Sequence, residues 1–199
     1  AKKMYILNAW NVEGVQYEKP KLKIQGIEAV RSSTPHACRE NIKSALSIIM
    51  NGNQDELQKF IEGFRNEFLT LPFEDVAFPR GVKGMWKYNK DKSQIYDKGT
   101  PIHVKGALIF NHLLKENKIK HIMPITDGDK VRFAYLKTPN PFRDTVISYP
   151  SRLPPEFGLE NFIDYDTQFE KSFLDPLKII LNCIGWKTEK TSSLEDFFS

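Results

Sequence analysis

The apolar spacing between positions 33 and 72 constrains this chain more than any other feature. Cys38, Ile42, Ala45, Leu46, Ile49 and Met50 recur at intervals that mark one face of an α-helix. Ser33-Thr34-Pro35 precedes them as a start signal, in which Thr34 is placed to cap and Pro35 suits the first helical position. Gly52 is the expected stop. A second stripe of Leu57, Phe60, Ile61, Phe64 and Phe68 begins near Asp55 and ends at Leu71-Pro72. The short connection predicts an antiparallel helical hairpin.

The flanking segments read differently. Residues 3–10 form a strand candidate, with Glu13-Gly14 as a turn signal and residues 14–17 returning alongside. Residues 21–24 alternate, which puts Leu22 and Ile24 on one strand face and Lys21 and Lys23 on the other. From residue 73 to about 155 the chain is irregular and β-leaning. Pro79, Gly81 and Gly84 punctuate a basic loop, and residues 130–136 alternate as a strand after the turn signal Asp127-Gly128. Asn140-Pro141 marks another loop, and residues 145–148 suit a short strand. The apolar run 102–110 suits a strand or the start of a helix equally well. Phe169, Phe173, Leu177, Ile180, Leu181 and Ile184 make a final helical stripe, which Pro176 should kink and Gly185 should end. The expected class is α+β. A β-rich start is followed by a mostly helical body with a small irregular β region and a polar tail.

With 199 residues, 40% hydrophobic and 27% charged, the chain reads as an ordinary soluble globular protein able to bury a core. Its apolar runs are far shorter than the roughly 18 residues of a membrane span, and the N-terminal stretch lacks the apolar core of a signal peptide. Cys38 and Cys183 both fall in apolar helical patterns and are expected to be buried thiols in a reducing, cytoplasmic setting. The net charge of +4 is uneven. Arg80, Lys83, Lys87, Lys90, Lys92, Lys98 and Lys105 face only Asp91 and Asp97 in the stretch 80–105, whereas residues 156–170 carry five acids and no Lys or Arg. The first stretch is the one suited to an anionic partner.

Signatures of self-contained catalysis are few. There is no phosphate-binding glycine loop, no CxxC pair and no HExxH, and His36, His103, His112 and His121 are scattered. Asp164-Tyr165-Asp166 holds two acids that a β-hairpin could aim at a pair of metal ions. Here they open a helix, where residues two apart point about 200° from each other and acids favour the helix dipole. Lys3 and Tyr5, two apart on a strand, project from one face about 6.5 Å from each other and can donate to acceptors along a nucleic-acid groove.

At this point a resemblance becomes visible. Lys2-Lys3-Met4-Tyr5 followed by a strand resembles the K-K-x-Y segment of family B DNA polymerases. Residues 20–28 and Arg31-Ser32-Ser33-Thr34-Pro35 resemble the end of the palm and the entry to the thumb in polymerases of T4-like phages. Residues 101–106, 127–130 and 164–177 are similar to successive thumb segments, and residues 193–198 resemble the C-terminal clamp-binding peptide. Met4 departs from the pattern, since relatives often carry Arg there, and one basic contact is then missing.

The resemblance implies a palm end at residues 1–26, a thumb at 27–186 and a clamp-binding tail at 187–199. It implies that Lys3, Tyr5 and Arg31 lie along the minor groove of primer–template DNA, with Arg80, Lys83 and Lys87 as candidates for phosphate contacts. Leu194, Phe197 and Phe198 would anchor the tail on a phage sliding clamp. The family's metal-binding aspartates and fingers precede the K-K-x-Y segment. No catalytic or metal-ligating residue is therefore expected in this chain, and Mg²⁺ is expected only in the complete polymerase. The chain is then one half of a split polymerase or an excised fragment, inactive by itself, with an N-terminal part or subunit as partner. It would act in the cytoplasm of an infected bacterial host, away from membranes. The competing readings are a non-catalytic DNA-binding or clamp-tethered accessory protein and a small hydrolase using Asp164 and Asp166.

Overall fold

The computed structural model describes residues 5–25, 31–91 and 93–190. The chain divides into two compact units, Ala1–Thr70 with Phe169–Ser199 and Leu71–Gln168.

The first unit begins with an antiparallel hairpin, β1 (Tyr5–Val12) and β2 (Val15–Gln25). Glu13 (φ 54°) and Gly14 (φ 83°) form its two-residue turn. Both residues are left-handed, the geometry that matches the twist of paired strands. Asn11 braces the turn by accepting from Gly14 N–H at 3.1 Å. The pairing then slips. Asn11 faces Gln16 but Ala9 faces Lys21, so residues 17–20 stand opposite Trp10 alone. This bulge takes up Pro20, which has no N–H to contribute to a ladder.

Helices α1 (His36–Asn51) and α2 (Gln54–Phe68) follow, joined by Gly52-Asn53, as their apolar spacing predicts. α1 buries Cys38, Ile42, Ala45 and Leu46, and α2 buries Leu57, Ile61, Phe64 and Phe68. Asn53 caps α2 by accepting from Glu56 N–H at 3.0 Å, and Asp55 and Glu56 complement the dipole. The start of α1 lies one residue later than expected. Pro35 (ψ 144°) is itself the boundary residue, and Thr34 does not cap but is buried.

In the second unit a short helix α3 (Phe73–Val76) leads into β3 (Phe78–Gly81), a 3₁₀ turn (Met85–Tyr88) and α4 (Ile102–Glu116). Strands β4 (Lys130–Tyr135) and β5 (Val146–Tyr149) complete an antiparallel sheet of order β3-β4-β5. The ambiguous run 102–110 is therefore helix, and the unit is less β-leaning than its sequence. α4 lays Val104, Ala107, Phe110 and Leu113 on the sheet, and the first four residues of β4 alternate, Val131 and Phe133 inward and Lys130 and Arg132 outward, before Ala134 is buried as well. Gly106 permits the close approach. A Cβ there would meet the Ser148 hydroxyl and lie 2.6 Å from Ser148 N.

The chain then runs through α5 (Tyr165–Phe169), a π-helical turn (Glu170–Leu174) and α6 (Asp175–Ile184). The irregularity expected at Pro176 takes the form of this wider turn just before it. Proline lacks the N–H for the regular bond and its ring crowds the preceding turn. Phe169 and Phe173 meet Phe64 and Phe68 of α2 edge to face, with ring centroids 4.8 Å apart for Phe64–Phe173 and 5.2 Å for Phe68–Phe169. Beyond Gly185 (φ 73°), Lys187 exchanges hydrogen bonds with Gln54 and Gln58 of α2, at 3.1 and 3.0 Å. The final helix thus packs back on the helical hairpin, as expected.

One thiol meets the expectation of burial and the other does not. Cys38 is buried, donates to Ser172 Oγ at 3.2 Å, and burial pushes its pKa up to about 11. Cys183 is exposed, because α6 turns Pro176, Leu177 and Leu181 inward and Ile179, Cys183 and Ile184 outward. Both thiols are free.

Candidate nucleic-acid interface

Two surfaces carry the residues singled out from sequence. The first is one face of the β1–β2 hairpin. Tyr5 pairs with Gln25, Leu7 with Lys23 and Ala9 with Lys21, and directly paired residues project to the same side. Tyr5 therefore shares its face with two lysines. Tyr5 is half-buried, and Lys21, Lys23 and Gln25 are exposed. The ammonium of Lys21 sits 5.5 Å from the Tyr17 ring centroid. Asn8, on the opposite face, donates to Asn51 Oδ1 at the end of α1 at 3.0 Å. Strand alternation that assigned Lys3 to the Tyr5 face concerns a position outside the described residues, and so do Leu194, Phe197 and Phe198. Arg31 is exposed just before α1, where its carbonyl accepts from Thr34 N–H at 3.2 Å.

The second surface surrounds the end of β3, and its three cations are not alike. Arg80 lies within the strand, not in a loop. Its guanidinium stands 5.9 Å from the Phe133 ring centroid, and its charge adds to burial in holding His103 below the usual histidine range. Lys83 is exposed, one residue past Val82, whose N–H and carbonyl bond Asp129 O (2.9 Å) and Gly128 N–H (2.8 Å). Lys87 is exposed on the 3₁₀ turn, where its ammonium sits 5.4 Å from the Trp86 ring centroid. The turn is held by Asp127, whose carboxylate accepts from Gly84 N–H (3.0 Å) and Met85 N–H (2.8 Å). That bracing uses the Asp127-Gly128 turn seen in the sequence. Lys130 and Arg132, on the outward face of β4 beside Gly81 and Pro79, add positive charge that the sequence reading left out. The charged–apolar alternation at the start of residues 130–136 was the signal for them.

The acids fit a structural role. Asp164 accepts from Thr167 N–H (3.0 Å) and Thr167 Oγ1 (2.7 Å), closing the first turn of α5, while Asp166 points to solvent. Among the described residues no three His, Cys, Asp or Glu side chains gather to hold a metal ion. Also among the described residues, no helix is long and apolar enough to cross a membrane.

Comparison with known proteins gives these surfaces a context. No family model matches the chain. It aligns with the DNA-directed DNA polymerase of Enterobacteria phage T4 at 31% identity over 207 positions, covering 100% of this chain and 22% of that polymerase. The DNA-directed DNA polymerase of Escherichia phage RB69 matches at 31% over 201 positions, covering 99% of this chain and 22% of its own length. The chain thus spans about a fifth of the curated relatives it matches. By sequence, from end to end, it is a relative of one segment of these phage DNA-directed DNA polymerases.

Proposed function

We propose that the chain is the C-terminal part of a replicative family B DNA polymerase, gripping primer–template duplex and tethering the enzyme to a sliding clamp. The end-to-end match to two phage DNA polymerases carries this reading. Residues 1–26 then complete the palm, residues 27–186 form the thumb, and residues 187–199 are the clamp-binding tail. The setting is the cytoplasm of an infected bacterial host.

The hairpin face suits a minor groove. Purine N3 and pyrimidine O2 accept hydrogen bonds in every Watson–Crick pair, so the Tyr5 hydroxyl, with Lys3 and Arg31, senses pair geometry without reading sequence. The lysines beside Tyr5 add charge where phosphates flank that groove. Arg80, Lys83 and Lys87 hold the duplex by phosphates, which supply affinity and no sequence information. Mg²⁺ chemistry belongs to ligands outside this chain, contributed by an N-terminal polymerase part or subunit.

One assay tests both ends of the proposal. In the assembled enzyme, Lys3→Ala, Tyr5→Phe and Arg31→Ala should each slow extension from correctly paired primers, with similar effects on all template sequences. Each lost bond to a charged donor should cost about 1.5–3 kcal/mol, and the neutral Tyr5 bond about 1 kcal/mol. Unchanged extension kinetics in all three variants removes the groove assignment. Deleting residues 194–199 should spare short-primer extension and abolish the gain in product length that the clamp confers. Leu194, Phe197 and Phe198 are three apolar anchors whose burial offsets the cost of ordering a tail. A truncated chain that keeps the clamp-dependent gain shows that the tether lies elsewhere.

A further inference from the structure

Trp86 is 68% exposed in a unit whose other large apolar side chains, the 80% exposed Met123 apart, pack into or against a continuous core. Its neighbour Met85 is buried and anchors the same 3₁₀ turn, so folding does not need the indole. The turn is nonetheless built to present it. Asp127 ties down the N–H groups of Gly84 and Met85, and Gly84 takes a left-handed conformation (φ 70°). The stem of Lys87 packs against Gly84, 3.3 Å from where a Cβ would stand, and its ammonium lies over the indole at 5.4 Å. The ring is therefore pre-positioned, open to solvent over most of its surface, and flanked by the exposed cations Lys83 and Lys87.

We propose that Trp86 is a stacking platform for an unpaired nucleobase at the edge of the bound duplex, with Lys83 and Lys87 holding the phosphates of that strand where it leaves the duplex. The inference rests on the nucleic-acid reading above and narrows it. Bases inside a duplex are covered on both faces and offer only their edges in the grooves. A flat indole finds a free π-face on a single strand, where stacking on an aromatic side chain tolerates any sequence. Flanking lysines suit a phosphate backbone and disfavour an apolar protein partner.

The test uses the full chain with Trp10→Phe and Trp186→Phe, so that Trp86 is the one remaining indole. Titration with a single-stranded oligonucleotide should quench its emission. In the otherwise native chain, Trp86→Ala should weaken single-strand binding about tenfold, and Trp86→Phe should recover most of it. Blunt duplex binding should stay within about twofold of the parent. Lys83→Ala with Lys87→Ala should lower the log–log salt slope by about 0.7 per contact on single strands. Absence of quenching, unchanged single-strand affinity in Trp86→Ala, or equal losses on single strand and duplex overturns the platform while leaving the DNA reading in place. Failure of the parent chain to bind either form of DNA overturns both.

Discussion

Gly106→Ala should lower the melting temperature of the chain by about 15 °C, which for a unit of this size corresponds to about 3 kcal/mol. The same substitution at Gly63 should raise stability by up to about 1 kcal/mol. Both glycines lie inside helices, where alanine is intrinsically favoured by about 1 kcal/mol. Their surroundings decide the sign. An added Cβ at Gly63 meets nothing, whereas at Gly106 it meets the Ser148 hydroxyl and comes within 2.6 Å of Ser148 N and 2.9 Å of Ile147 C. Backbone atoms of β5 cannot rotate aside, so α4 must lift from the sheet. The shift loosens Ala107 and Phe110 against the core and strains the 2.8 Å bond from Ser148 Oγ to His103 O. Overpacking of this kind typically costs about 1–3 kcal/mol before such secondary losses. Thermal unfolding of the two variants checks the account. A Gly106→Ala chain that melts within about two degrees of the parent shows that α4 and β5 are not in close contact.

How far the molecule could be read from its sequence follows from the physics of each element. The helical hairpin was legible because α1 and α2 each bury one stripe and expose the other, leaving a clear period. α4 was ambiguous because it buries Val104, Gly106, Ala107, Ile109, Phe110, Leu113 and Leu114, a face so broad that apolar spacing no longer distinguishes helix from strand. The Glu13-Gly14 turn was visible, but the register of the hairpin was not. Continuing from the turn without a bulge would set Tyr5 opposite Leu22. The bulge at residues 17–20 shifts the pairing by three, an odd number, so Tyr5 falls on the Lys21–Lys23 face. No local signal beyond Pro20 announces that shift.

The candidate site was legible in the same uneven way. Arg80, Lys83 and Lys87 form one run of positive charge in sequence, yet the strand turns Arg80 toward Phe133 while Lys83 and Lys87 face solvent. Nothing in the sequence singled out Trp86. Only the 3₁₀ turn, which sends Met85 inward, shows that it is exposed. The outward position of Cys183 has the same cause. Residues two apart on a helix point about 200° from each other, and Leu181 takes the core side.

The largest functional effect expected is all-or-none, and it tests the proposed role most directly. The proposed role leaves activation of the primer terminus to the catalytic part, and Asp164, one of the acids singled out in this chain, is engaged in capping α5. The chain's surfaces are suited instead to holding DNA in place for a catalytic part, and positioning alone can supply several kcal/mol of a barrier. The decisive measurement is primer extension by the purified chain, by the catalytic part of its polymerase lacking the matched segment, and by the two mixed. The expected result is no extension by the chain, little or none by the catalytic part, and salt-sensitive synthesis by the mixture. Robust extension by the chain alone would contradict the account. So would a mixture that neither extends the primer nor binds it more tightly than the catalytic part does, which would leave a DNA-binding or clamp-tethered accessory role.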